Sequence, residues 1–255
     1  MQAFEHVVII GTGNVSYHLC SAFNKVGVTV LIWGRQKKKA TEFASQFHIQ
    51  QLTNLSSIPT DSLVLICVSD DAISSVLEKL PHQLKIAYTS GSVEISSLPQ
   101  RLNLGVFYPL QTFSIDRELD ISTVPFLIEA NNKEFADELI QFAKKISNTV
   151  HYATSEERFQ THIAAVIVNN FSNYLFYAAE QHLEEHQLSF DLLKPLIHET
   201  VKKLDGLSPL EAQTGPASRG DLQVIEKHIH SLSSETLKMI YENISEAISK
   251  EMKKS

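Results

Sequence analysis

Apolar positions in the first 150 residues fall in short blocks that alternate between two periods. Val7–Ile10 is a continuous apolar run closed by Gly11, the pattern of a strand buried on both faces. Val15, Leu19, Ala22, Phe23 and Val26 then share one face of a helix over Asn14–Val26, which Gly27 stops. Val28–Trp33 reads as a second strand, rich in β-branched residues, and Lys37–Phe47 as a second helix. The alternation continues with a strand at Leu63–Val68, a helix from about Asp71 to Leu80, and strands at Lys85–Thr89 and Leu104–Tyr108. It ends with strands at Val124–Ile128 and Thr149–Tyr152 around a helix at Lys133–Ile146. Such alternation predicts an α/β fold with a doubly wound, mostly parallel sheet.

After Tyr152 the period-2 signal disappears. The expected organisation is therefore an α/β domain over residues 1–153 and a smaller all-α domain over residues 154–255. Thr154 and Glu157 have capping-box spacing and start a helix expected to run to about His186. Its middle, Ile163–Tyr177, is apolar on nearly every side apart from asparagines and one serine, so it is expected to be buried all round. About 100 residues cannot easily enclose such a helix, so a partner subunit, a homodimer, is expected. A helix at Phe190–Leu204 must place Pro195 early or kink there. Ser208-Pro209-Leu210-Glu211 is a second capping box, with Pro at the first helical position. Gln213–Asp221 reads as a loop whose Asp221 caps a helix to about His230. Leu237, Ile240, Tyr241, Ile244 and Ile248 mark an amphipathic last helix.

Composition narrows the function classes. The 255 residues carry 29 acidic and 22 basic side chains, a net charge of −7. Residues 1–153 account for −2 of this and residues 154–255 for −5. The acidic balance argues against nucleic acid as a partner. No apolar run approaches the ~18 residues of a membrane span, and no leader pattern opens the chain. Two cysteines, Cys20 and Cys67, are too few for a disulfide framework and read as buried free thiols of a cytoplasmic protein.

The most specific local signal is Val7-Val8-Ile9-Ile10-Gly11-Thr12-Gly13-Asn14-Val15-Ser16. A G-x-G pair between a buried strand and a helix is a dinucleotide-binding turn. Gly11 permits the turn, Gly13 lets backbone approach a pyrophosphate, and the helix start offers free N–H groups. The alternative is a tight turn with no ligand. The cofactor-binding candidates are Gly11, Thr12, Gly13, Asn14 and Val15. At the end of the second strand an NAD site places an acid on the ribose hydroxyls. Here the chain reads Trp33-Gly34-Arg35-Gln36-Lys37-Lys38-Lys39, with no acid before Glu42. Arg35 can fork a 2′-phosphate and Lys37, Lys38 or Lys39 can add charge, so NADP is expected as the cofactor. At least one lysine is expected on a solvated face.

Further candidates follow the same strand edge. Ser69, after the third strand run, can offer a hydroxyl to the cofactor, whereas Asp70 and Asp71 are expected to cap the next helix. Ser90 and Gly91, in Thr89-Ser90-Gly91-Ser92, are candidates beside the nicotinamide or an ordinary polar turn. Tyr108-Pro109 suits a pocket wall. In the long helix, His162, Asn169 and Asn173 lie roughly on one face. His162 is a candidate proton donor or a satisfied core histidine. Arg219 is a candidate fork for a substrate carboxylate or a partner of Asp221. His182 and His186 have metal-pair spacing but read as a solvated helix end, so no metal is expected.

Gly11–Ser16, Phe107-Tyr-Pro-Leu-Gln-Thr-Phe113, Asn169-Asn170-Phe171, His198-Glu199-Thr200 and Gln213-Thr-Gly-Pro-Ala217 with Arg219 and Asp221 together resemble a bacterial family of Rossmann-like candidate NADP oxidoreductases. The architecture is more distantly similar to pyrroline-5-carboxylate reductase, deazaflavin-dependent NADP reductases and β-hydroxyacid dehydrogenases. The resemblance implies an N-terminal NADP domain, a C-terminal helical domain that dimerises, and a small-molecule site between them, with His162, Asn169 or Arg219 acting on substrate. One departure matters. β-Hydroxyacid dehydrogenases carry a catalytic lysine about one turn before a helix asparagine, where this chain has Val166 or an apolar neighbour. Their acid–base mechanism does not carry over. The expected activity is hydride transfer between nicotinamide and a small carbonyl or imine. The alternative is an NADP-binding regulatory or sensor protein without turnover.

Overall fold

The computed structural model describes residues 4–254. Eight strands form one sheet: β1 (His6–Ile10), β2 (Thr29–Trp33), β3 (Gln50–Gln51), β4 (Leu63–Ile66), β5 (Lys85–Tyr88), β6 (Leu104–Pro109), β7 (Phe126–Ala130) and β8 (Val150–Tyr152). Their spatial order is β3-β2-β1-β4-β5-β6-β7-β8. All pairings are parallel except β6–β7, where Phe107 faces Ile128 in antiparallel register. This is the expected doubly wound, mostly parallel sheet with an all-α part following it.

The apolar runs are continuous because both faces of the sheet are covered. Val7, Ile9, Leu63 and Leu65 point into one layer with Phe23 and Phe142, which belong to α1 (Asn14–Lys25) and α4 (Lys133–Ala143). Val8, Ile10, Val64, Ile66 and Tyr88 point into the other, with Leu77 of α3 (Ile73–Leu77). The second helix, α2 (Lys37–Phe47), keeps its expected bounds and buries Ala40, Phe43 and Ala44. The two-residue β3 has no pattern in the sequence; it forms because Leu31 and Ile32 offer an edge to Gln50 and Gln51.

The helix expected over Asp71–Leu80 is shorter. A 3-10 turn at Asp70–Ala72 leads into the five-residue α3, and neither aspartate caps either element: Ser69 takes the cap position of the turn and Ala72 that of α3, both without a side-chain hydrogen bond. Asp70 instead accepts a hydrogen bond from the Ser92 hydroxyl.

The chain divides into two compact units, Met1–Asn169 and Asn170–Ser255. The first includes α5 (Ser155–Ala165), which begins with the expected Thr154–Glu157 capping box and is tied to β7 through Arg158 and Glu129. A π-helical segment, Val166–Phe171, then leads into α6 (Ser172–Glu185).

The second unit contains α6, α7 (Lys194–Lys202), the short α8 (Pro216–Arg219), α9 (Leu222–Ser231) and α10 (Glu235–Met252). Pro195 sits in the first turn of α7, where its missing N–H costs nothing. Two expectations fail here. The Ser208–Glu211 box forms both reciprocal hydrogen bonds but closes a single turn, not a helix. The loop after it contains α8, started by Pro216 and ended by Gly220 in the left-handed region. Asp221 caps α9 as expected, accepting from Val224 N.

Within this chain the apolar middle of the long helix is not buried. Val168 is 71% exposed, Phe171 57% and Tyr177 54%. Among the described residues of the second unit, only Ala217 and Ile225 are buried apolar residues.

Candidate active site

The first site element is the turn from β1 into α1. Gly11 lies at φ 125°, a region that L side chains avoid, and its N–H donates to Trp33 O at 2.9 Å. A Cβ there would sit 2.1 Å from the Cys67 carbonyl oxygen, so only glycine fits. Gly13 differs. It is the N-cap of α1, nothing lies within 4 Å of where its Cβ would be, and no side chain caps the helix. Asn14 does not do so either, because its amide donates to Phe113 O at 2.8 Å. The first N–H groups of a 12-residue helix thus face open space beside a residue with no side chain. Such a start suits an anionic phosphate.

That start opens on a cleft of about 620 Å³, lined among others by Val15, Arg35, Lys39, Ser69 and Thr89. Thr12 belongs to the lining too, and its methyl explains Gly34: a Cβ at Gly34 would come within 3.0 Å of Thr12 Cγ2. Arg35 and Lys39 bring positive charge to the cleft. Lys37 lies outside the lining, and its carbonyl accepts from Thr41 Oγ1 and Gln51. The residues present therefore fit a dinucleotide with an extra phosphate. A larger concavity of about 1110 Å³ lies at the opposite ends of the strands, near Asp61 and Lys85. Doubly wound sheets bind ligands at the carboxyl ends of their strands, so the smaller cleft is the functional candidate.

Ser90 is buried, and its hydroxyl accepts from the backbone N–H groups of Ser92 and Val93, both at 3.1 Å. Its side chain closes its own turn. Beside it three residues from separate elements meet. Tyr108 of β6 and His162 of α5 are hydrogen-bonded, phenol oxygen to Nδ1, at 3.0 Å. Both press on Gly91, where a Cβ would lie 2.7 Å from His162 Nδ1 and 2.8 Å from Tyr108 Cζ. Burial pushes the Tyr108 phenol above its ordinary pKa, Arg158 pulls it back, and Asp70 adds to the rise.

Arg158 is almost fully buried at 1% exposure. It donates to the Glu129 carboxylate and to Val93 O, while Ser155 Oγ donates to Glu129 at 2.8 Å. Tyr88 donates to the same Val93 carbonyl at 2.9 Å. The turn at Ser90–Val93 is thereby fixed from below. Cys67, against Gly11 of the β1–α1 turn, is a buried free thiol pushed up to about 12 by desolvation.

Sequence reasoning named His162, Gly91 and Tyr108 separately but did not pair them, and it missed Arg158. The pairing spans 54 residues, and its only local trace is a glycine at a strand end. Asn169 lies in the π-helical segment and is exposed. Arg219 ends α8 in the second unit and is exposed, while Asp221 turns its carboxylate to α9. His182 on α6 and His186, its C-cap, are joined by Glu185, their ligand atoms lying within 4.8 Å of one another. No helix among the described residues is long and apolar enough to cross a membrane.

Residues 6–88 match a family model described as NADP oxidoreductase, coenzyme F420-dependent. Residues 124–248 match a domain of unknown function, DUF2520. Among solved structures, a candidate NADP oxidoreductase from Bacteroides fragilis is 34% identical over 97% of this chain and 99% of its own, with a TM-score of 0.85. Two more distant structures share the fold. A 1-pyrroline-5-carboxylate reductase from Streptococcus pyogenes is 13% identical over 96% of this chain and 98% of its own, with a TM-score of 0.68. A reductive aminase from Aspergillus terreus, solved with NADPH and ethyl levulinate, is 14% identical over 98% of this chain and 87% of its own, with a TM-score of 0.62. No curated protein matches the sequence.

Proposed function

The chain belongs to the family that joins an NADP oxidoreductase-type Rossmann domain to a DUF2520 helical domain, and from that premise we propose that it is an NADP-dependent oxidoreductase acting on a small carbonyl or imine compound. One observation supports this reading above the others. The uncapped start of α1 at Gly13 opens on a cleft that Arg35 and Lys39 also line, with no acid between β2 and Glu42. The α1 N–H groups would hold the pyrophosphate, and Arg35 with Lys39 the 2′-phosphate. The bound cofactor would supply the hydride; the chain's own part is to orient both reactants, exclude water and manage the proton.

The functional unit in this reading is a homodimer. Phe171, Tyr174, Leu196 and Val201 are all exposed in the second unit, which buries almost no apolar residue of its own. Exposed large apolar side chains in this number on a unit with so little core of its own favour an interface.

The test is a binding and turnover comparison. NADPH is expected to bind at least tenfold more tightly than NADH, and NADPH oxidation is expected with a keto acid, aldehyde or cyclic imine. Equal affinity for the two cofactors overturns the 2′-phosphate reading. Tight NADPH binding without turnover of any class favours a sensor.

A further inference from the structure

Gly91, Tyr108 and His162 form a corner at the carboxyl end of β5. A phenol and an imidazole hydrogen-bonded at 3.0 Å make a proton-transfer pair, and both rings are half-buried. They converge from β6 and α5 on the one residue at the end of β5 that has no side chain to keep them away. The rings meet edge to face, with centroids 6.0 Å apart and planes at 73°. Burial keeps the proton on Tyr108. The charged groups facing the phenol are Arg158, whose field favours a phenolate, and Asp70, whose field opposes one.

We propose that Tyr108 is the proton donor of the reaction, that His162 restores its proton, and that the substrate is therefore a neutral carbonyl compound. The inference rests on the oxidoreductase reading above and chooses within it. Hydride addition to a carbonyl carbon leaves an alkoxide that must gain a proton, whereas addition to an iminium yields a neutral amine and needs none. In the first case the Tyr108 O–H bond breaks and an O–H bond forms on the product. The phenolate then takes the Nδ1 proton of a protonated His162, which keeps its Nε2 proton and regains one at Nδ1 from water. The hydride is supplied by a reduced nicotinamide dinucleotide.

The test has two parts. The His162 Nδ1 resonance, followed by 15N NMR in cofactor-free protein, is expected to shift in Tyr108→Phe because its hydrogen-bond partner is gone. With ethyl pyruvate as carbonyl probe, Tyr108→Phe is expected to lose ~100-fold in kcat or more and His162→Gln a smaller factor, with NADPH affinity unchanged. An unmoved His162 Nδ1 resonance in a variant that melts like wild type overturns the pairing. If NADPH is bound but ethyl pyruvate is not reduced, or 1-pyrroline is reduced as fast by Tyr108→Phe as by wild type, the carbonyl assignment falls. Failure to bind NADPH at all would refute the nicotinamide reading alone, because the His162 resonance is read without cofactor.

Discussion

The carbonyl oxygen of Cys67 lies 2.1 Å from where a side chain on Gly11 would begin. That oxygen belongs to backbone just past β4, and Cys67 N in turn donates to Ile10 O at 2.8 Å. The β1–α1 turn is therefore wedged against a neighbouring strand end that cannot yield alone. Gly11→Ala must either separate β1 from β4 or abandon φ 125°. A loss of about 3 kcal/mol or more in unfolding free energy is expected by denaturant titration. Gly13→Ala is the opposite case. Its φ of −89° suits any residue and nothing crowds the site. Stability should change by less than ~1 kcal/mol while NADPH affinity falls, because the added methyl occupies the space where phosphate would approach.

Arg35 and Lys39 line the cleft and Lys37 does not. Arg35→Ala is expected to weaken NADPH by about 1.5–3 kcal/mol, the worth of a charge-assisted contact, and to leave NADH nearly unchanged. Lys39→Ala should follow in the same direction by less, and Lys37→Ala should do little. Fluorescence titration with both cofactors distinguishes them. If Lys37→Ala proves as damaging as Arg35→Ala, the lining does not mark the phosphate subsite.

Much of this site was readable beforehand, because local chemistry carries it. The G-x-G turn, the basic run after β2, the Thr154–Glu157 box and the Asp221 cap each depend on residues within a few positions of one another. What escaped depends on distance. Arg158 meets Glu129 across 29 residues and Tyr108 meets His162 across 54, and neither has a periodic signature. The Ser208–Glu211 box shows the converse. Its hydrogen bonds form, but no buried face follows to propagate a helix, so propensity alone stops after one turn.

Arg158 and Glu129 are a buried pair, at 1% and 13% side-chain exposure. Removing one partner leaves a charge uncompensated in the interior, a loss of roughly 3–5 kcal/mol. Glu129→Ala is expected to fall in that range by chemical denaturation. Combining it with Arg158→Met should recover part of the loss, because the orphaned charge goes with it. A double variant less stable than Glu129→Ala would show that the Val93 contact of Arg158 matters more than its charge pair.

Desolvation raises both thiols, Cys20 and Cys67, to about 12 in the folded protein. Folding thus favours the protonated thiol. The stabilisation is fully present below the unfolded thiol pKa and is lost as pH rises from about 9 toward 12. The denaturation midpoint is expected to drop between pH 8 and pH 10.5, and to drop less in Cys20→Ala/Cys67→Ala. Iodoacetamide at pH 8 should leave both thiols unmodified until denaturant is added. Prompt labelling of either would contradict the burial.

The long helix provides the last test. Val168 and Phe171 are 71% and 57% exposed in the single chain, and Leu196 and Val201 on α7 are each at 62%. At ~25 cal/mol per Å² of apolar surface, covering side chains of this size stabilises an assembly by about 1.5–3 kcal/mol each when burial is complete. Sedimentation equilibrium at micromolar concentration is expected to return twice the 28.6 kDa chain mass. Phe171→Asp, which places a charge in the middle of that surface, should shift the protein to monomer and lower its melting temperature in a concentration-independent way. A wild-type monomer at those concentrations would mean that the apolar helix serves something other than a second copy of this chain.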